Sequence, residues 1–280
     1  MKRIAIILVA VFISLTSFAQ PGTRPAQPTG YKTVTGIPYH PGVSAYADER
    51  CLLDVYYPEG ITDYPTIVWF HGGGIISGNR EIPEALKNKG MAVIGVGYRF
   101  LTNVDVREVI DDAAAAVAWT FKNIASYGGS TSKIFVSGHS AGGYLTDMVV
   151  LDKSYLEKYG VDADDIAGAF PFSAQVVTHY NVRKPMGIDE LHPIIDDTAP
   201  LRQMRKLDMP FFVMSGDREL EMYGRYEEQA YFWRMMKLIG NEKCYLYEFD
   251  GFDHGSMPTP AFPVMVRQIR SIVAGRPYSR

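Results

Sequence analysis

The spacing of apolar positions changes several times along the chain and predicts alternating strands and helices. After a polar, proline-rich stretch over Gln20 to Gly30, two strand-like runs cover Lys32 to Pro38 and Arg50 to Tyr57. In the second, Leu53, Val55 and Tyr57 alternate with Asp54 and Tyr56 until Pro58 ends the run. These two form an expected antiparallel opening. Thr66 to Phe70 and Met91 to Val96 are continuous apolar runs, the pattern of strands buried on both faces, with a helical piece over Ile82 to Asn88 closed by Gly90. Asp105 to Ser126 is the clearest helix, because Val106, Val109, Ala113, Val117, Phe121 and Ile124 recur at three- and four-residue steps before Gly128 and Gly129. Further strands are expected at Ile134 to Val136, Ile166 to Phe170, Pro210 to Ser215 and Lys243 to Phe249. Helices are expected at Tyr144 to Leu151, around Tyr226 to Met236, and at Ala261 to Ala274. From Phe172 to Met209 the periodicity breaks down, and a stretch that long predicts a small cap with short helices such as Leu201 to Leu207.

Composition narrows this to one α/β domain with a large core: 280 residues, 47% hydrophobic and 12% aromatic, without an internal repeat. The first residues carry Lys2 and Arg3, an apolar run from Ile4 to Val11, and the small-x-small signal Ser17-Phe18-Ala19. That is the pattern of a signal peptide over residues 1–19, too interrupted for a comfortable membrane span, followed by a flexible leader over residues 20–30. Export to the periplasm or outside the cell is the expectation. Loss of Lys2 and Arg3 leaves 26 basic against 31 acidic residues and moves the net charge from −3 to −5, which argues against nucleic acid as a partner. No His-Glu-x-x-His or paired-cysteine spacing points to a metal, and no cofactor is expected.

Chemistry concentrates where Ile134 to Val136 runs into Gly138-His139-Ser140-Ala141-Gly142 ahead of a helix. A serine at such a strand-to-helix turn is strained and exposed, and small residues two positions either side are required, which Gly138 and Gly142 supply. The helix start offers free amides, that of Ala141 among them, to an oxyanion. His71-Gly72-Gly73-Gly74 follows the strand ending at Phe70, and its glycines allow the amides of Gly73 and Gly74 to turn toward a carbonyl oxygen. A serine hydroxyl also needs a base, and His254 follows the last strand in Gly251-Phe252-Asp253-His254-Gly255. The other histidines have weaker claims: His71 structural, His139 inside the elbow without the nucleophile's role, and His40, His179 and His192 at the surface or in the cap.

With these motifs in this order, the chain from about Tyr31 onward resembles the α/β-hydrolases, in particular the esterase and lipase group that carries His-Gly-Gly-Gly. The resemblance implies one domain over residues 31–280. Its α/β fold is a mostly parallel eight-stranded sheet with helices on both faces and a cap insertion over residues 172–209. It places Cys51 and Cys244 toward opposite edges of the sheet, too far apart for a disulfide. It also places the acid partner of His254 in Ser215-Gly216-Asp217-Arg218-Glu219-Leu220-Glu221. Relatives often read Gly-Asp-x-Asp there with the second acid in use, so Glu219 is expected to face His254, Asp217 is the alternative, and Glu221 is read as a solvated or helix-starting charge. Ile75 and Ile76 stand where relatives often have an aromatic. The implied activity is two-step hydrolysis of short acyl or feruloyl esters, small or on an oligosaccharide. Amide hydrolysis by the same residues and a non-catalytic binding role are the alternatives, and the oligomeric state is unknown.

Overall fold

The computed structural model describes residues 26–277. The signal-peptide pattern lies outside them. Among the described residues no helix is long and apolar enough to cross a membrane.

The chain opens with strand β1 (Gly30–Pro38), a short helix α1 (Ala45–Arg50), and strands β2 (Leu52–Glu59), β3 (Tyr64–Phe70) and β4 (Ala92–Val96). Helix α2 (Val106–Asn123) follows, then β5 (Gly129–His139), α3 (Ala141–Leu151), α4 (Lys153–Glu157) and β6 (Gly168–Phe172). After α5 (Tyr180–Arg183) come β7 (Phe211–Gly216), α6 (Arg225–Leu238), β8 (Cys244–Phe249) and α7 (Pro258–Val273). The strands form one sheet in the order β1-β2-β4-β3-β5-β6-β7-β8. β2 pairs antiparallel with both β1 and β4, and every other pairing is parallel.

Alternation along the central strands divides the core into two layers. Val68 and Phe70 of β3 pack with Val109, Ala113, Leu145, Met148, Phe232 and Met236, so α2, α3 and α6 cover one face. Ile67 and Trp69 of the same strand point the other way, against Phe172, Met265 and Ile269, where α7 covers the second face. α2 starts with a capping box between Asp105 and Glu108 and is followed by a turn that ends at Gly128, whose φ is 96°. Cys51 and Cys244 are both buried and free, at the second and eighth strands of the sheet.

Several elements differ from expectation for local reasons. Ser44 caps a helix, α1, where the pattern suggested only strand, its hydroxyl accepting the Ala47 amide at 3.0 Å. Ile82 to Asn88 is not a helix but a single tight turn at Glu84–Leu86. The amide of Asn88 goes to the Tyr56 hydroxyl instead of back along the chain. In the cap, Leu201 to Leu207 forms only a turn at Pro200–Gln203, because the side chain of Asn241 takes the Leu207 amide at 2.7 Å. Strand β6 runs through Pro171 instead of ending there, so the excursion that rises over the sheet edge begins at Ser173.

Candidate active site

The turn from β5 into α3 places Ser140 at φ 56° and ψ −114°, a conformation L-residues rarely adopt. Its neighbours show why the sequence needs glycine. A Cβ on Gly142 would lie 2.0 Å from the carbonyl oxygen of Phe70, and one on Gly138 would lie 2.5 Å from the Gly142 backbone. The Ser140 amide donates to the Phe172 carbonyl at 2.8 Å, tying the turn to β6.

His254 reaches this serine from the loop after β8, with Nε2 2.9 Å from Ser140 Oγ. The carboxylate on its other nitrogen is Glu221, whose Oε2 lies 2.8 Å from His254 Nδ1. The sequence reading is corrected here: neither Glu219 nor Asp217 faces the imidazole. Asp217 spends its side chain on the backbone, one oxygen accepting the Glu219 amide at 2.8 Å and the other the Gly251 amide at 2.7 Å. Its carbonyl accepts the amides of Leu220 and Glu221, so the segment winds through one helical turn. That turn leaves Glu219 exposed and carries Glu221 inward, where its side chain is only 1% exposed. Burial pushes the Glu221 carboxyl up, but the bond and charge of His254, the Ser173 hydroxyl and the Gly216 amide outweigh it and lower its pKa to about 2. The signal for this lay in Asp217, since an aspartate that bonds the amide two residues on forms a turn and redirects the next residues of the chain.

The His71 to Gly74 loop lies beside the serine, a Cβ on Gly72 being 3.6 Å from Ser140 Cβ. Gly73 and Gly74 have φ of 112° and 63°. In a trans peptide the N–H points opposite to the carbonyl before it, so each amide is aimed by what that carbonyl bonds. The Gly72 carbonyl accepts His71 Nδ1 at 2.6 Å, and the Gly73 carbonyl accepts the amides of Ile76 and Ser77 at 3.1 Å each. Among the described residues no acceptor takes the Gly73 or Gly74 amide. The Ala141 amide stands in the first turn of α3, without an intrahelical partner. Asn181 of the cap donates to the Gly74 carbonyl at 2.8 Å, joining the cap to this loop.

The remaining histidines stay out of the proton path. Burial lowers the pKa of His71 to about 4. Burial and the adjacent His254 do the same to His139, which donates from Nε2 to the His254 carbonyl at 2.8 Å. His179, expected at the surface or in the cap, is buried within the cap against Tyr144 and Tyr180. His40, Cys51 and Asp112 come together with metal-ligand spacing. That space is already neutralised: Arg99 bonds both Asp112 oxygens, at 2.8 and 2.7 Å, and burial raises the Cys51 thiol to about 12. A groove of about 750 Å³ along α7, lined by Lys89, Arg267, Arg270 and Arg276, contains none of the residues around Ser140.

Residues 53–182 match the family model BD-FAE. Carboxylesterase NlhH of Mycobacterium tuberculosis is 34% identical over 123 residues, 42% of this chain and 34% of that protein. The chain spans between about a fifth and a third of the length of the first curated relatives it matches. A carbohydrate esterase from gut microbiota superposes with a TM-score of 0.72 at 17% identity, covering 89% of this chain and 99% of the other. A propionate-bound esterase of Thermogutta terrifontis gives 0.68 at 22% identity, covering 87% and 95%. With an eight-stranded, mostly parallel sheet, helices on both faces and these relatives, the chain belongs to the α/β-hydrolases and groups with their esterases.

Proposed function

We propose that the protein is a serine carboxylesterase that works through an acyl-enzyme. The carrying observation is the connected set Ser140, His254 and Glu221, with bonds of 2.9 and 2.8 Å, on a strained elbow. In this reading His254 Nε2 takes the Ser140 proton as Oγ attacks the ester carbonyl, and the amides of Gly73, Gly74 and Ala141 receive the oxyanion. The C–O bond to the alcohol then breaks as His254 returns the proton to the leaving oxygen. Water, deprotonated by the same imidazole, releases the acid and restores Ser140. Buried, ionised Glu221 holds the His254 tautomer and stabilises its imidazolium.

Short acyl or feruloyl esters, some carried on plant polysaccharide, are the proposed substrates. Support comes from the excursion between β6 and β7, whose only α-helix is the four residues of α5, too little apolar cover to shield a long chain from water. The kinship with a carbohydrate esterase and a propionate-bound esterase points the same way. Export follows from the N-terminal pattern and belongs to the same proposal. Ser140→Ala is expected to abolish fluorophosphonate labelling and nearly all hydrolysis of aryl acetate while the protein stays folded; undiminished labelling would remove the assignment. Rates on aryl acetate, aryl butyrate, aryl decanoate, methyl ferulate and acetylated xylan test the substrate class, and a preference for decanoate would overturn it.

A further inference from the structure

The last residue of β6 and the residue after it touch both ends of the triad. Phe172 accepts the Ser140 amide at 2.8 Å through its carbonyl, and Ser173 donates its hydroxyl to Glu221 Oε1. Ser173 is wholly buried and sits at φ 45°, a strained conformation for a side-chain-bearing residue. Two bonds hold it there. Its amide donates to the Met214 carbonyl on β7 at 2.7 Å, and its carbonyl accepts Arg225 Nη1 at 2.5 Å. Arg225 is itself buried at the start of α6, with Nε and Nη2 unpartnered among the described residues. A buried guanidinium and a strained serine are costly features to retain, and both converge on one carboxylate.

The torsion that turns a glutamate carboxylate about its own axis is broad, so one bond from Oε2 to His254 does not fix its plane. Oε1 therefore needs an anchor. The Gly216 amide is one, at 2.9 Å, but it belongs to the segment that carries Glu221 and moves with it. Ser173 belongs to a different strand, the one that holds the nucleophile's amide.

We propose that Ser173 is a positioning residue that fixes the Glu221 carboxylate relative to Ser140, with Arg225 locking the Ser173 backbone. The inference rests on the proposed Ser140, His254 and Glu221 triad. Its effect is on turnover, because substrate meets neither Ser173 nor Glu221. The test is kinetics on aryl acetate with Ser173→Ala and with Ser173→Gly, the second tolerating positive φ and so preserving the backbone. Both are expected to lower kcat about tenfold, the scale of one hydrogen bond to a charged group, with KM within twofold of the parent. In a Glu221→Gln background the same changes should cost less than twofold, since the group they position is gone. Retained kcat in both single variants, a change carried by KM, or an undiminished loss in the Glu221→Gln background would each overturn the role. If Ser140→Ala kept its activity, the triad itself would have failed; if Ser140→Ala is inactive and the Ser173 variants are normal, only this inference fails.

Discussion

The turn after β5 and the turn after β7 each deliver one side chain of the triad to the same edge of the sheet, and they are held by different forces. The first is set by exclusion. Backbone from β3 approaches so closely that Gly142 has no room for a Cβ, and Ser140 takes the only path left. The second is set by attraction, a web of amide-to-carboxylate bonds around Asp217 that winds the segment once before releasing Glu221. A steric turn tolerates almost no substitution at its tight points. A hydrogen-bonded turn can lose a member and settle nearby.

The largest expected effect comes from breaking the second turn's product. Glu221→Gln keeps shape and removes charge, and should lower kcat by roughly 10³–10⁴-fold, whereas Glu219→Gln should stay within about twofold on the same aryl ester. A large loss in Glu219→Gln with a normal Glu221→Gln would reverse the assignment. The elbow is probed by Gly142→Ala, which forces a methyl into the Phe70 carbonyl. A stability loss of about 3 kcal/mol, the upper end for overpacking, should appear as a fall in Tm of roughly 6–12 °C, together with loss of turnover. An unchanged melting curve would show that the elbow yields after all. The smallest effect concerns Asp147 on α3, wholly buried with neither oxygen bonded among the described residues. Burial raises its pKa well above the usual carboxylate range. Its cost is therefore absent below about pH 4 and grows as pH rises from there toward the raised folded value. Asp147→Asn should be more stable than the parent by about 1–3 kcal/mol at pH 8, with the gap closing near pH 4, as read by thermal melts at both.

The same contrast decides how much could be read from the residues. Exclusion leaves a mark at fixed spacing, so Gly138, Ser140 and Gly142 announce the elbow, and strand periodicity announces the sheet that carries it. His254 was legible from its place after the last strand. Which carboxylate faces it was not, because that depends on a turn stabilised from the neighbouring loop, through Gly251 and Phe252. The mistaken helices at Ile82 to Asn88 and Leu201 to Leu207 have a similar origin. In each case a side chain distant in sequence, Tyr56 or Asn241, takes an amide that local periodicity assigns to a helix. Ser173 was invisible for the same reason, since a lone serine after a strand carries no pattern.

Asp217 does more than shape its own loop. Its Oδ2 accepts the Gly251 amide, and its own amide donates to the Phe252 carbonyl at 2.8 Å, so the segments bearing Glu221 and His254 are stitched together twice. Both follow β7 and β8, the last two strands on this side of the sheet. If that edge opens, the acid and the base travel as one body and part company with Ser140, not with each other. The slow exchange of backbone protons for deuterium should then report a single shared opening for the amides of Asp217 and Gly251, separate from that of Ser140, so that the protein rests in a state with an intact charge pair and a nucleophile waiting for it.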